Sequence, residues 1–177
     1  LRSEEGSGIG EFFDLLPIIE WAKKVGFTII QLLPLNDTGD CSSPYSAVSA
    51  MALNPIFLSL NHLPFLDLVP ESNKLLEELR NENHLQRFSY PVVHKNKELF
   101  LRYYYAFTKK QIEALPEYQV FLAREKWLNG YARFKALKIA NDGAAWWSWE
   151  KSSCATDDVA FYMMLQFLCF SQLERVK

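Results

Sequence analysis

The residues best placed for chemistry lie in a short polar loop, 36–46, which ends in Ser43-Pro44-Tyr45-Ser46. The loop follows an apolar run at 27–35, and loops at the carboxyl ends of parallel strands build the active sites of α/β folds. Neither Ser43 nor Ser46 lies in the Gly-x-Ser-x-Gly pattern of a nucleophile elbow, so no nucleophile elbow is predicted. On the residues alone, Tyr45 is interpreted as a tyrosine of a turn.

A glycine-rich stretch, Gly6-Ser-Gly8-Ile-Gly10, invites comparison with dinucleotide-binding loops. That fingerprint needs glycine at its first, third and sixth positions, after a strand and before a helix. The sixth position here is Glu11, whose carboxylate would repel a pyrophosphate at the helix N-terminus. We therefore interpret the stretch as a flexible turn into a helix, and no cofactor is expected.

Histidines and cysteines are too dispersed for a metal site. His62, His84 and His94 form no His-x-x-x-His pair, and the three cysteines have no Cys-x-x-Cys spacing. A metal site is not predicted. The odd and sparse set of cysteines (Cys41, Cys154 and Cys169) favours a reducing, cytoplasmic setting over a disulfide framework.

Charge and hydropathy argue against two classes of partner. Among 177 residues, 19 Lys and Arg are interspersed with 21 Asp and Glu, and the formal charge is −2, without the basic field of a nucleic-acid binder. The longest apolar stretch, 159–170, is shorter than the ~20 residues of a membrane span. The first residues contain no apolar segment, so a signal peptide is not predicted there. We expect neither a nucleic acid nor a membrane as partner.

The elements that would position the loop begin at Glu11. Apolar residues at helical spacing predict a helix from there to Gly26, a plausible C-cap. The run 27–35 is continuously apolar, which predicts a strand buried on both faces of a parallel sheet. A helix followed by such a strand is the second half of a β-α-β unit.

The remaining chain is predicted to be helical, with segments at about 71–86, 97–114 and 117–139. A final helix should begin near Thr156, followed by two aspartates in its first turn. Residues 141–156 are predicted to form a loop that holds Trp146, Trp147 and Trp149. One strand followed by four helices indicates an α/β domain that is interrupted by a long helical insertion.

An ordered set of short motifs resembles the N-terminal part of the amylomaltases, which are 4-α-glucanotransferases of glycoside hydrolase family 77. That family usually shows Gly-Ile-Gly-Asp, a helix, Gln-x-Leu-Pro-Leu, Pro-Thr-Gly, Ser-Pro-Tyr and Asn-Pro. The matching segments here are Gly8-Ile-Gly10-Glu11, Gln31-Leu-Leu-Pro34-Leu35, Thr38-Gly39, Ser43-Pro44-Tyr45 and Asn54-Pro55. Later segments also agree: Tyr90-Pro-Val-Val93, the helix that starts at Trp127-Leu128, Trp146 with Trp149, and Phe167 with Phe170.

The resemblance implies a fold and a reaction. The fold class is α/β, a partial TIM (β/α)8 barrel, with residues 1–60 opening the barrel and 61–177 forming a helical insertion subdomain. The reaction is the transfer of α-1,4-glucan segments between maltodextrins by a retaining double displacement, with an Asp nucleophile and a Glu acid/base. The family resemblance also implies a role in maltodextrin or glycogen metabolism. Both carboxylates are expected beyond Lys177, so the chain alone is expected to be inactive.

The resemblance also implies substrate-binding residues. Tyr45 would pack its ring on a glucose unit near the scissile bond, and Ser43 would hydrogen-bond a sugar hydroxyl. The family's Tyr-Gly-Asp before Ser-Pro-Tyr is replaced by Asp40-Cys41-Ser42. The missing tyrosine serves a secondary glucan site in some members, so that site is not predicted here. Asp37 replaces the proline before Thr-Gly, Leu53 the glycine before Asn-Pro, and Glu150 a common proline after Trp149.

Two alternatives remain open from the sequence. A related barrel enzyme could hydrolyse α-glucans, with water instead of a sugar as the acceptor, because water exclusion by loops decides between the two outcomes. A non-catalytic, carbohydrate-binding helical domain is the other. The predicted lone buried strand argues against it, because a parallel strand needs partners on its edges.

Overall fold

The structure is a computed structural model that describes residues 2–81, 87 and 89–177. Six α-helices account for most of the regular structure in these residues: α1 (Leu15–Val25), α2 (Ser72–Arg80), α3 (Tyr90–Glu113), α4 (Pro116–Arg124), α5 (Leu128–Ala140) and α6 (Thr156–Val176). Short 3₁₀ turns lie at Phe12–Asp14, Pro55–Phe57, Leu60–His62, Leu66–Leu68 and Trp146–Ser148. His84 and the end of the predicted helix 71–86 lie outside the described residues. None of the described helices is long and apolar enough to cross a membrane.

Helix α1 ends where the sequence predicts. Gly26 adopts φ 89° and ψ 13°, a left-handed conformation that glycine reaches without a Cβ penalty. Its N–H and that of Phe27 donate to carbonyls of the last turn, at Lys23 and Ala22. The expected buried face is only partly found, since Leu16 and Ile19 stay 41% and 38% exposed.

The predicted buried strand at 27–35 is not observed in this chain. In the described residues the single β pairing is an isolated antiparallel bridge between Asn36 and Leu53, and 27–35 has no ladder partner. Its apolar side chains are exposed, with Ile29 at 83% and Phe27 and Leu33 at 61% each. A parallel strand is stable only between neighbouring strands, and the described residues supply none. The part of the chain that the structure describes is mostly helical, and a partial barrel is not observed in it.

The chain forms two compact units. The first comprises residues 1–108 and 168–177, and the second comprises 109–167. The predicted division at residue 60 concerns the complete barrel and stays a prediction. In the first unit, buried Phe12, Leu58, Val93, Leu101 and Tyr104 belong to the core. The end of α6 is joined to this core by Gln172, whose amide exchanges two hydrogen bonds with the backbone of Ser59, at 2.8 and 3.0 Å.

In the second unit the predicted helix 117–139 is two helices. Glu125 adopts φ −89° and ψ 83°, which ends α4. Its carbonyl accepts the N–H of Leu128 at 3.1 Å, and its carboxylate accepts the indole N–H of Trp127 at 2.7 Å. These local bonds compete with a continuous helix, an effect that apolar spacing does not reveal. Phe167 packs edge-on against Tyr118 and Phe121 in the same unit.

The loop after α5 is held by one buried side chain. The amide of Asn141 donates to the carbonyls of Leu137 and Lys151, at 2.9 and 3.0 Å. Its Oδ1 accepts the N–H groups of Glu150 and Lys151, at 3.0 and 2.9 Å. The loop therefore closes on Asn141 although it contains little regular structure.

Replacing Asn141 by Ala should speed hydrogen exchange at the amides of Glu150 and Lys151 roughly tenfold, because each would lose its buried acceptor. Exchange is measured by mass spectrometry of the peptide that spans these amides in the full-length protein. The control is Asn129→Ala, an exposed position on α5. Equal exchange in the two variants would contradict the assignment of Asn141 as the residue that closes the loop.

Candidate functional site

The loop predicted to bind substrate is built from two tight turns; residues 36–46 are called the substrate loop below. The N–H of Cys41 donates to the carbonyl of Thr38, and that of Ser46 to the carbonyl of Ser43, each at 3.1 Å. Gly39 takes φ 58° in the first turn, where a side chain would be strained. Two successive turns give the loop a defined path without regular secondary structure.

Backbone hydrogen bonds close the loop at its base. The N–H of Asp37 donates to Ala52 and the N–H of Asn54 donates to Leu35, both at 2.9 Å. The carbonyl of Asp37 accepts the N–H of Val48 at 2.8 Å, and its carboxylate accepts the N–H of Gly39 at 2.8 Å. The fully buried Asp37 thus joins both ends of the substrate loop.

A cluster of buried polar side chains lies beneath the loop; Thr38, Asn54 and Tyr90 are called the hydroxyl cluster below. Tyr90 is the first residue of α3, and its hydroxyl donates to the carbonyl of Gly39 at 2.9 Å. The Thr38 hydroxyl donates to the carbonyl of Cys41 at 2.6 Å. The Asn54 amide lies 3.2 Å from the Thr38 oxygen and 3.1 Å from the Tyr90 oxygen.

The helix that carries Tyr90 is fixed two turns further along by Lys97. The Lys97 ammonium donates to a carboxylate oxygen of Glu11 and to the carbonyls of Ile56 and Leu58, each at 2.7 Å. The side chains of Lys97 and Glu11 are 2% and 4% exposed. α3 begins at Tyr90, seven residues before the predicted start, and this earlier start places the tyrosine under the loop.

The structure places Ser43 and Tyr45 together in the second turn. Tyr45 is 75% exposed, whereas Ser43 is half-buried. An exposed ring on a pinned turn can cover the apolar face of a ligand at small cost in conformational entropy. Their contact with a sugar stays a prediction. Sequence reasoning missed the structural part played by Tyr90, although its position in the Tyr-Pro-Val-Val segment of the family resemblance was a usable signal.

Cys41 is the one cysteine of the substrate loop, and its side chain is exposed. A hydrogen bond from the backbone of Ser43, supported by the side chain of Ser46, lowers the pKa of this exposed thiol. By contrast, burial raises the pKa of Cys169 well above its ordinary value, and the charge of Asp37 adds to that effect. Nothing beyond its exposure and pKa marks Cys41 as a site of chemistry.

The buried carboxylates of this region serve the fold. Asp37 accepts the N–H of Gly39, and Glu11 accepts the ammonium of Lys97 and the N–H of Ser7. A residue committed to such bonds is poorly suited to donate or accept a proton from a substrate. Within the described residues no three histidine, cysteine, aspartate or glutamate side chains are grouped to hold a metal ion.

Comparison with known proteins gives a consistent result. A family model described as 4-alpha-glucanotransferase, glycoside hydrolase family 77, matches residues 1–177. A 4-alpha-glucanotransferase of Chlamydia pneumoniae is 41% identical over 190 residues, covering 100% of this chain and 36% of that protein. One from Synechocystis is 30% identical and covers 96% of this chain and 36% of that protein. This chain thus spans about a third of the length of these curated relatives.

A solved structure shows the same fold. The crystal structure of amylomaltase from Corynebacterium glutamicum superposes with a TM-score of 0.78 over 99% of this chain and 26% of that chain. The sequences are 21% identical, so the likeness concerns the fold alone. The arrangement of helices and loops described above is therefore shared with the corresponding part of that protein.

Proposed function

The chain belongs to the 4-alpha-glucanotransferase family, glycoside hydrolase family 77, and from this membership we propose that its full-length protein transfers α-1,4-glucan segments between maltodextrins. The observation that carries the proposal is the family match over every residue of the chain, together with 41% identity to a named transferase. The exposed Tyr45 on a firmly held loop supports it, since an accessible aromatic ring can cover the apolar face of a glucose unit.

The reaction proposed is a retaining double displacement. A carboxylate attacks the anomeric carbon as the glycosidic bond breaks, and a carboxylic acid gives its proton to the leaving oxygen. The 4-hydroxyl of an acceptor sugar then attacks the glycosyl-enzyme and returns a proton to the second carboxylate, which restores both groups. We place both catalytic carboxylates beyond Lys177, because the buried acids of this chain are engaged in structural bonds.

For the missing part of the fold, we propose that 27–35 becomes a barrel strand between strands from the rest of the protein. The exposed apolar side chains of this run support the proposal, with Ile29 at 83% and Phe27 and Leu33 at 61%. Residues 1–60 would then open the barrel and 61–177 would form a helical insertion. The three unpaired cysteines fit a cytoplasmic enzyme.

Maltotriose as sole substrate tests the proposed reaction. The full-length protein should produce glucose together with maltopentaose and longer chains, which are separated by length. Glucose and maltose with nothing longer would show that water is the acceptor, and the protein would then be a hydrolase. Absence of any turnover would overturn the catalytic proposal and leave a carbohydrate-binding protein.

Within this reaction Tyr45→Ala should lower kcat/KM for maltotriose about 10- to 100-fold, because the sugar loses a covering ring. Tyr45→Phe keeps the ring and should retain most of the activity. Tyr103→Ala, a partly exposed tyrosine on α3, is the matched control and should change the rate little. Equal losses in Tyr45→Ala and Tyr103→Ala would remove the binding role from Tyr45.

A further inference from the structure

The hydroxyl cluster has one consistent set of proton positions. Oδ1 of Asn54 accepts the N–H of Ile56 at 3.1 Å, so the amide nitrogen must point toward the two hydroxyl oxygens. The nitrogen has two protons, and it lies 3.2 Å from the Thr38 oxygen and 3.1 Å from the Tyr90 oxygen. The backbone contact of Ile56 thereby settles the orientation of the amide.

Each hydroxyl then has its own proton free for a carbonyl. Thr38 donates to Cys41 and Tyr90 donates to Gly39, at 2.6 and 2.9 Å. The hydroxyl oxygens of Thr38 and Tyr90 lie 3.1 Å apart because both accept a proton from the same Asn54 amide, so this contact needs no proton of its own. Four protons thus meet four acceptors, and a buried polar group is stable only when it is satisfied in this way.

The two carbonyls held by the cluster belong to the first turn of the substrate loop. Gly39 and Cys41 flank the tip of that turn, and Tyr45 follows four residues later. Tyr90 is itself fixed: its ring packs with Ile9, Ile56 and Val93 in one cluster, and it is 8% exposed. The hydroxyl of Tyr90 therefore transmits the position of α3 to the loop.

We propose that Tyr90 is a positioning residue, which orders the substrate loop so that Tyr45 and Ser43 are ready to receive a sugar. The role assigned to Tyr45 and Ser43 rests on the proposed function; the holding of the loop does not. Tyr90 itself is buried beneath the loop and acts on the ligand only through it.

Tyr90→Phe preserves the ring and removes one oxygen. The carbonyl of Gly39 would lose its donor and one Asn54 proton would lose its acceptor, both in buried surroundings. The loop should then be loose in the free enzyme and become ordered only with substrate. Ordering on binding weakens affinity without altering the bound state, so KM for maltotriose should rise roughly tenfold while kcat changes little.

Tyr104→Phe is the matched control. Tyr104 lies on the same helix, is fully buried, and donates its hydroxyl to the carbonyl of Pro64 at 2.8 Å. The control therefore loses the same kind of bond to a different segment. If Tyr90 acts only through general stability, the two variants will behave alike.

The experiment uses the full-length protein and two readouts. Maltotriose kinetics give KM and kcat, and mass spectrometry gives hydrogen exchange of the peptide that covers 38–46. We expect Tyr90→Phe to raise KM and to speed exchange in this peptide roughly tenfold, whereas Tyr104→Phe changes neither. Thr38→Val removes the hydroxyl that donates to the carbonyl of Cys41, so it should reproduce both effects. It replaces Tyr90→Phe in the experiment if that variant does not fold.

Unchanged exchange in 38–46 for Tyr90→Phe and Thr38→Val, or an equal rise of KM in Tyr104→Phe, would overturn the proposal. If the wild-type protein does not disproportionate maltotriose, the proposed function fails by itself. The exchange readout still decides in that case whether Tyr90 holds the loop, so the two failures are distinguishable.

Discussion

Lys97→Met should destabilise the full-length protein by about 3–5 kcal/mol, a loss typical of breaking a buried ion pair from one side. The ammonium of Lys97 uses all three protons, on Glu11, Ile56 and Leu58. Methionine fills a similar volume, yet it leaves a carboxylate and two carbonyls without their donor. The loss would be measured by chemical unfolding, followed by a probe in the first unit.

Two further variants separate the ion pair from general packing. Glu11→Gln combined with Lys97→Met removes the buried charge, so the double variant should be more stable than the sum of the single losses predicts. Lys109→Met is the surface control, because its pair with Asp157 has side chains that are 33% and 67% exposed. It should cost about 0–1 kcal/mol. If Lys97→Met lowers the free energy of unfolding no more than Lys109→Met does, the buried pair of Lys97 and Glu11 contributes little to stability.

The local signals in the sequence were sufficient for the ends of several helices. Gly26 closes α1 in the left-handed conformation, and α6 begins at Thr156 with two aspartates in its first turn, both as predicted. These ends depend on neighbours within one turn, so a short window of sequence contains their cause. The break at Glu125 was not predicted, because an apolar stripe continues across it.

The hydroxyl cluster could not be derived from the sequence. Tyr90 contacts Thr38 and Gly39 across 52 and 51 positions, and it contacts Asn54 across 36. Isolated polar residues at such separations leave no periodic pattern, in contrast to an amphipathic helix. The resemblance to a family indicated the loop, but only the packing of α3 shows how the loop is held.

The run 27–35 is the opposite case, because its sequence pattern predicts a buried strand that is not observed in the described residues. Continuous apolar residues predict burial on both faces, yet the side chains are exposed. The apolar pattern indicates the environment in which a segment would be stable, whereas its burial depends on which neighbouring elements are present. Because the chain spans 36% of its relative from Chlamydia pneumoniae, we assign the missing neighbours to the remaining part of the full-length protein.

Ile29→Lys provides the decisive test of that assignment. Ile29 is 83% exposed in this structure, and a substitution on a surface changes stability by about 0.5 kcal/mol at most. If 27–35 is an inner barrel strand, the same change buries an unpaired ammonium, and the full-length protein should lose several kcal/mol and accumulate mainly in insoluble form. Soluble yield and chemical unfolding of the full-length protein measure the two effects.

Val120→Lys is the matched control for this test. Val120 lies on α4 and is 63% exposed, so it resembles Ile29 in its apolar character and its exposure here. The two positions differ in their surroundings: Val120 belongs to helix α4, while Ile29 lies in a segment that has no regular secondary structure and no ladder partner among the described residues. A large loss at Ile29 with little change at Val120 would support the strand, because it would show that the rest of the full-length protein buries Ile29. Equal and small effects would show that 27–35 stays on the surface of the full-length protein, and the barrel proposal would fail.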